Sequence, residues 1–93
     1  MTNTDTALSR QVRITNELGL HARAAAKIAG LVKGANRRIW LTKNGDKVDA
    51  SSILDILTLA CEKDSRIIVT VEDSNDIDIL TAIEQMVESG FGE

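Results

Sequence analysis

Four short segments of the chain alternate apolar and polar residues, and this alternation constrains the fold more than any other feature. The clearest segment is Arg66 to Glu72, in which Ile67, Val69 and Val71 point to one side. Alternation of this kind predicts a strand that buries one face and leaves the other in water, and β-branched residues favour that conformation. The other three segments are residues 11–15, 37–42 and 47–50. The chain therefore contains strands that need a cover on one side only.

Three further segments place apolar residues at helical spacing instead. The first runs from about Ala22 to Lys33 and is followed by Gly34, a residue that commonly ends helices. The second is short, from Ser52 to about Ala60. The third runs from Asp76 to Ser89, with acidic residues crowded at its start, where they favour the helix dipole. The chain is expected to have three helices, each with an apolar stripe for the sheet.

The order of elements along the chain is β-α-β-β-α-β-α. Asn44-Gly45, between the second and third strands, is typical of a tight hairpin turn. Because each strand has one apolar face, we expect an α+β fold, an open-faced β-sandwich in which three helices cover one face of a four-stranded antiparallel sheet. The open face is then expected to carry Arg13, Arg38, Trp40 and Thr70.

The chain length predicts a single domain over residues 1–93, with residues 1–9 as a flexible tail. No apolar run approaches the length of a membrane span, and the polar N-terminus lacks the pattern of a secretory signal. One cysteine, Cys61, cannot form an internal disulfide, which fits a reducing compartment. We therefore expect a cytoplasmic protein without membrane insertion, and nothing in the sequence indicates more than a monomer.

Charge and residue types exclude several kinds of function. The net charge is −3, from 11 basic and 14 acidic residues, so no basic excess is available to neutralise nucleic-acid phosphates. Trp40 and Phe91 are the only aromatic residues, too few for a platform that stacks bases. His21 and Cys61 lie 40 positions apart, which is not the spacing of a metal site. We expect neither nucleic acid nor metal, and no cofactor is predicted.

The only histidine, His21, stands where the first helix begins, in Gly19-Leu20-His21-Ala22-Arg23. Unpaired backbone N–H groups and the positive end of the helix dipole face such a residue, and Arg23 adds a permanent cation. These groups attract an anion and keep the imidazole neutral and nucleophilic, so a phosphoryl group on a ring nitrogen suits the position. On this motif alone, a histidine with no chemical role is an equal alternative.

Several stretches occur together in the order and spacing of a known family. They are Gly19-Leu20-His21-Ala22-Arg23 with Ala25-Ala26 behind it, Asn44-Gly45 with Val48, and Ser52-Ile53-Leu54. The chain resembles, from about Val12 to Glu93, the HPr family of phosphocarriers of the bacterial phosphoenolpyruvate-dependent sugar phosphotransferase system. The resemblance implies that Enzyme I phosphorylates the δ nitrogen of His21, that Arg23 contacts the phosphoryl group, and that a IIA component receives it. It implies a carrier rather than an enzyme.

The chain departs from the family pattern directly after the arginine, where Ala24 stands in place of the usual proline. Proline would preset the backbone of the first helical turn, whereas alanine is simply a good helix former. We expect the helix to form with a looser loop around His21, which affects the rate of transfer more than the role.

Ser52 matches the position that a dedicated HPr kinase/phosphorylase modifies in some bacterial lineages. The same serine begins the second helix, and Ser52-x-x-Asp55 has the form of a capping box, so a capping role also explains it. Asp55 stands where many members carry glycine or lysine, and Leu54 replaces a frequent methionine or phenylalanine. We expect the cap, and regulatory phosphorylation of Ser52 is a further possibility implied by the resemblance.

The second helix has apolar residues on more than one face, and one sheet cannot bury all of them. Ile53, Leu54 and Leu57 are predicted to form an exposed patch beside His21, whereas Ile56 and Leu59 are assigned to the core. In the family, residues of this kind dock Enzyme I and the IIA component. Ala22 and Ala26 on the first helix are assigned to the same docking surface.

Two other functions stay open at this point. One is a regulatory or nitrogen-related member of the same family, which accepts a phosphoryl group but serves no sugar permease. The other is an interaction module whose histidine is not used. Loss of His21 without loss of biological effect would favour the second.

Overall fold

The computed structural model describes residues 8–93 and confirms the predicted order of strands and helices. Two single 3₁₀ turns, Ser74–Asp76 and Gly90–Gly92, flank the last helix. No helix in the described range is long and apolar enough to span a membrane. The strands and helices are β1 (Ser9–Arg13), α1 (Ala22–Val32), β2 (Ile39–Lys43), β3 (Asp46–Asp49), α2 (Ile53–Thr58), β4 (Arg66–Val71) and α3 (Ile77–Glu88).

The four strands form one antiparallel sheet in the order β1-β4-β2-β3. The predicted hairpin joins β2 to β3, and its turn residues Asn44 and Gly45 have φ angles of 52° and 88°. Both values lie in the left-handed region that two-residue hairpin turns require. Strands β1 and β2 are not adjacent in the sheet, because β4 lies between them and pairs with both. The sheet confirms the predicted α+β fold.

Burial of one sheet face follows the predicted alternation. Ile67, Val69 and Val71 are fully buried under the helices, and the intervening positions of β4 are not. Trp40 lies between two buried residues of β2, so its ring stands on the opposite, open face. The Arg38 guanidinium lies 6.0 Å from the centroid of that ring. Arg13 and Thr70 share the open face, as expected.

Several element boundaries differ from the sequence prediction by one or two residues, and β2, for example, begins at Ile39 rather than at residue 37. Strand β1 begins at Ser9, which pairs with Thr70, and the Val71 N–H donates to Leu8 O at 2.9 Å. The predicted tail is therefore wrong at its last two positions, and the remainder of it, residues 1–7, lies outside the described residues. Helix α2 ends at Thr58, because the backbone at Ala60 turns to φ 50°, which no helix continues.

A buried carboxylate fixes the approach to β2. Asp76, at the start of α3, accepts the Asn36 backbone N–H at 2.9 Å and the Arg37 N–H at 3.1 Å. The Asn36 side-chain amide adds a third donor at 3.0 Å. The backbone hydrogen bond from Asn36 is the main reason that the pKa of Asp76 lies below its usual value. One side chain thereby satisfies the backbone of a loop 40 positions away.

The loop from β1 to α1 carries His21 and is fixed against residues 61–65. The Ile14 N–H donates to Ser65 O at 2.8 Å, and the Leu20 N–H donates to Cys61 O at 2.8 Å. Gly19 has φ 64°, and a Cβ built on it would lie 2.3 Å from Cys61 O. Only glycine satisfies both the backbone conformation and this close approach. The loop is therefore held at its start by Ile14 and at its end by Leu20, and Leu20 directly precedes the histidine.

Replacing Gly19 with alanine is expected to lower the free energy of unfolding by at least about 1–2 kcal/mol, because a left-handed residue with a Cβ is strained and here also meets Cys61 O. Gly30→Ala is the matched control, because a Cβ at this position in α1 meets nothing within 4 Å. That change is expected to stabilise the protein by about 0.5–1 kcal/mol. Urea unfolding of both variants measures the difference, and equal stabilities would contradict the account of the loop.

Candidate functional site

His21 is the N-cap residue of α1, as its position in the sequence predicts. Its backbone is extended, with φ −75° and ψ 178°, and its carbonyl accepts the Ala25 N–H at 2.8 Å. Its ring Nδ1 accepts the Arg23 backbone N–H at 3.2 Å. A ring nitrogen that accepts a hydrogen bond holds a lone pair, so the proton of the neutral ring is on Nε2. Nδ1 is thereby the unprotonated nitrogen of the neutral ring.

The other ring nitrogen, Nε2, contacts the carboxylate of Glu93. The second carboxylate oxygen accepts the Asn16 side-chain amide at 3.0 Å. The hydrogen bond from Asn16 first, and the one from His21 second, hold the pKa of Glu93 below its usual value. The His21 and Glu93 side chains are only 21% and 22% exposed. The positive surroundings predicted for the ring are therefore only part of its environment, because this carboxylate was not predicted.

The turn after α3 brings Glu93 to the site. Phe91 is buried in the core and has φ 59°, which turns the chain back toward the first helix. The Lys27 ammonium group donates to Phe91 O at 2.7 Å. The only local signal for this arrangement was an aromatic residue between two glycines after the last helix. Neither Glu93, nor Asn16, nor Lys27 was identified from the sequence.

Arg23 contacts the ring through its backbone N–H, and its side chain is exposed. Among residues 8–93 this guanidinium forms no ion pair, although its charge contributes to the lowered pKa of Glu93. An arginine that is not committed to a protein carboxylate can bind an incoming anion with two parallel hydrogen bonds. The structure thus places the two predicted site residues together, with the cation available.

Ser52 caps α2, as predicted. Its hydroxyl oxygen accepts the Asp55 backbone N–H at 3.2 Å, which is the first half of the expected capping box. Cys61 follows this helix, is buried, and has a pKa raised by that burial, so it is not a reactive thiol. Within residues 8–93, no group of three or more His, Cys, Asp or Glu side chains is arranged to hold a metal ion.

The apolar surface near the site is partly the one predicted. Ile53 is 38% exposed and Leu54 is 76% exposed, whereas Ile56 and Leu59 are buried as expected. Leu57 is only partly exposed, because it packs against the core, so the patch is narrower than predicted. Ala22 and Ala26 are exposed on α1, which contacts α2. Leu18, which no sequence pattern indicated, is 66% exposed in the loop before the histidine.

Comparison with known proteins gives a consistent result at the levels of family, sequence and fold. The family model described as PTS HPr component phosphorylation site matches residues 8–89. The phosphocarrier protein HPr of Cupriavidus necator is 33% identical over 92% of this chain and 97% of its own. The phosphocarrier protein NPr of Escherichia coli is 32% identical with the same coverage. The crystal structure of HPr-C-His from Thermoanaerobacter tengcongensis matches with a TM-score of 0.85 and 30% identity, over 91% of this chain and 96% of that one.

Restoring the family's proline with Ala24→Pro is expected to change the free energy of unfolding by no more than about 1 kcal/mol. Ala24 lies in the first turn of α1, where backbone N–H groups have no partner within the helix. Ala26→Pro is the matched control: it removes a hydrogen bond of the second turn and is expected to cost about 3 kcal/mol. Thermal and urea unfolding compare the two, and equal losses would show that Ala24 is required by the packing of this chain.

Proposed function

This chain belongs to the HPr family of phosphocarriers of the phosphotransferase system, and on that premise we propose that His21 Nδ1 accepts and passes on the phosphoryl group. The observation that carries the proposal is the hydrogen bond from the Arg23 N–H to Nδ1. The Nδ1 lone pair accepts this hydrogen bond, so the ring proton is on Nε2, and the lone pair lies at the N-terminus of a helix, where backbone N–H groups and the helix dipole stabilise an anion.

The hydrogen bond from the Arg23 N–H to Nδ1 breaks when that lone pair attacks phosphorus, and the N–H then has a new acceptor close by. Once Nδ1 is bonded to phosphorus it no longer accepts, so the Arg23 N–H becomes free to donate to a phosphoryl oxygen. The Arg23 guanidinium, which lies in solvent, supplies a second, charged donor. Phosphoryl transfer depends mostly on alignment and on neutralising the charge of these oxygens. Both requirements are met by one residue and the turn that contains it.

The site is built to release the group as well as to accept it. The ring is 21% exposed rather than enclosed in a pocket, so donor and acceptor proteins can reach Nδ1 in turn. The donors available to a phosphoryl group are a backbone amide and an exposed arginine. A protein with this site is a carrier that partner enzymes charge and discharge, and it has no turnover of its own.

The family implies phosphotransferase partners such as Enzyme I and IIA components. We assign their docking to the exposed residues Leu18, Ile53 and Leu54, together with Ala22 and Ala26. Large apolar side chains with this exposure flank the histidine on its loop and on α2, and a partner that covers them excludes water from the transfer. The chain acts as a single domain and a monomer in the cytoplasm in this proposal.

A regulatory phosphocarrier is the second candidate, because one relative at 32% identity is named NPr rather than HPr. The acceptor protein separates the two functions. Transfer from the phosphorylated chain to a sugar-permease IIA favours transport, and transfer only to a nitrogen-type IIA favours regulation. Modification of Ser52 by an HPr kinase/phosphorylase is compatible with either, since the Ser52 side chain is partly exposed at the start of α2.

Incubation with Enzyme I, magnesium and phosphoenolpyruvate is expected to add one acid-labile phosphoryl group to the protein and none to a His21→Ala variant. Intact-mass spectrometry measures the gain. Arg23→Ala is expected to slow charging by about tenfold, the loss of roughly one charge-assisted hydrogen bond. Arg37→Ala, which removes another exposed arginine in the loop between α1 and β2, is the matched control and is expected to react at the original rate. No gain with a cognate Enzyme I would exclude the carrier function.

Placing a charge on the docking surface with Leu54→Glu is expected to raise the KM for the protein as a substrate of Enzyme I by about tenfold, because a central apolar contact becomes a desolvated carboxylate. Gln85→Glu adds the same charge on the exposed side of α3 and serves as control. Steady-state kinetics of Enzyme I with each variant measures the effect. Equal KM values for the two variants would place the docking surface elsewhere.

A further inference from the structure

We propose that Glu93 is a positioning residue for His21, whose carboxylate accepts hydrogen bonds from Asn16 and from ring Nε2 and so leaves Nδ1 as the nucleophilic nitrogen. The inference rests on the proposed function and names what makes His21 competent for it. It follows from the number of donors and acceptors at the site.

Both neighbours of the Glu93 side chain are donors. The Asn16 Nδ2 group donates to one carboxylate oxygen at 3.0 Å. Because Nδ1 already accepts the Arg23 N–H, the ring presents its Nε2–H to the other oxygen. A side chain between two donors must accept twice, and a carboxylate does so whereas a carboxamide offers one acceptor and one donor. Glutamate satisfies the site, and glutamine does not.

Asn16 cannot turn over to relieve a mismatch. Its side chain is buried, and the same Nδ2 group also donates to Gly19 O at 2.8 Å. Exchanging the amide nitrogen and oxygen would set two carbonyl oxygens against each other. The Oδ1 atom of Asn16 has no hydrogen-bond partner among the described residues, so no other contact favours the exchange. Asn16 therefore imposes an acceptor on its side of Glu93.

The position of Glu93 is determined by the fold and not by a loose surface contact. Phe91 is inserted in the hydrophobic core two residues earlier, and Lys27 holds its carbonyl oxygen at 2.7 Å. The Glu93 N–H donates to Gly90 O at 3.1 Å, which closes the turn. The residue that contacts the ring is thus positioned by core packing, by an ammonium group and by a backbone hydrogen bond.

The reaction explains why a carboxylate is useful here. The Nδ1 lone pair forms the new bond to phosphorus while the bond from phosphorus to the donor breaks, and that electron pair leaves with the donor. The ring keeps its Nε2 proton and becomes cationic. The Glu93 carboxylate faces this new charge and stabilises it without taking the proton. A ring protonated on Nδ1 has no lone pair at that atom and cannot react there.

The test compares Glu93→Gln, Glu93→Ala and Glu93→Asp, with Glu88→Gln as the control that removes the same charge at the end of α3. The first readout is ¹⁵N NMR of the two ring nitrogens at pH 8, which reports the tautomer without any phosphorylation. The second is the single-turnover rate of transfer from phosphorylated Enzyme I. Thermal unfolding confirms that each variant is folded.

Glu93→Gln is expected to shift the ring toward the Nδ1–H tautomer and to slow transfer by about tenfold, the usual effect of losing a group that orients a histidine. Glu93→Ala, which imposes no donor on Nε2, is expected to be less impaired than Glu93→Gln, and Glu93→Asp is expected to recover part of the rate. A residue with only a structural role would give the reverse order for alanine and glutamine. Glu88→Gln is expected to match the unchanged protein in both readouts.

Two failures are distinguishable. If the unchanged protein gains no phosphoryl group, the proposed function is wrong, and the role of Glu93 in the reaction falls with it. If the unchanged protein is charged but Glu93→Gln shows the same tautomer and the same rate, the proposed function stands and the assignment of Glu93 is overturned.

Discussion

Burial of one face of the sheet is the constraint on which the rest of the structure depends. Strand β4, the second strand from one edge, contributes Ile67, Val69 and Val71 to the hydrophobic core. These side chains pack with the apolar faces of α1 and α3, and this packing removes most of the apolar surface from water. Because the opposite face is solvated, all three helices must lie on the same side of the sheet. The loops that connect them to the strands must therefore cross the same ends of the sheet. The N-terminus of α1, the turn after α3 and the connector at Cys61 are brought together by this requirement.

The site uses very few chemical groups, because the fold supplies their positions. A glycine that approaches Cys61 O fixes the loop, the histidine caps its own helix, and the amide of Arg23 selects the ring nitrogen. A carboxylate from the other end of the described chain completes the arrangement. None of these interactions is strong alone, and each is a hydrogen bond or a steric fit that the packed core keeps in place. In the proposed function, partner recognition is separate from this chemistry, because the exposed residues Leu18, Ile53 and Leu54 form none of these hydrogen bonds.

Local patterns predicted the parts of the molecule that depend on local forces. The alternation in β4, the helical spacing after His21 and the Asn44-Gly45 turn each reflect interactions within a few positions, and each is found in the structure. The contacts that were missed join distant positions: Asp76 to Asn36, and Asn16 and His21 to Glu93. No periodicity records such pairs, since they depend on how the elements pack. The end of α2 was predicted at about Ala60 because apolar residues continue to that position. The helix ends at Thr58, since the backbone at Ala60 is left-handed.

The contact between His21 and Glu93 spans 72 positions, and the one between Asn16 and Glu93 spans 77. During synthesis, α1 leaves the ribosome long before its carboxylate partner, and β1 must wait for β4 to close the sheet. A nascent or truncated chain with a well-formed first helix therefore lacks the carboxylate that contacts ring Nε2. With the role proposed for Glu93, a chain becomes competent for charging only after α3 and the turn that follows it have packed against the first helix.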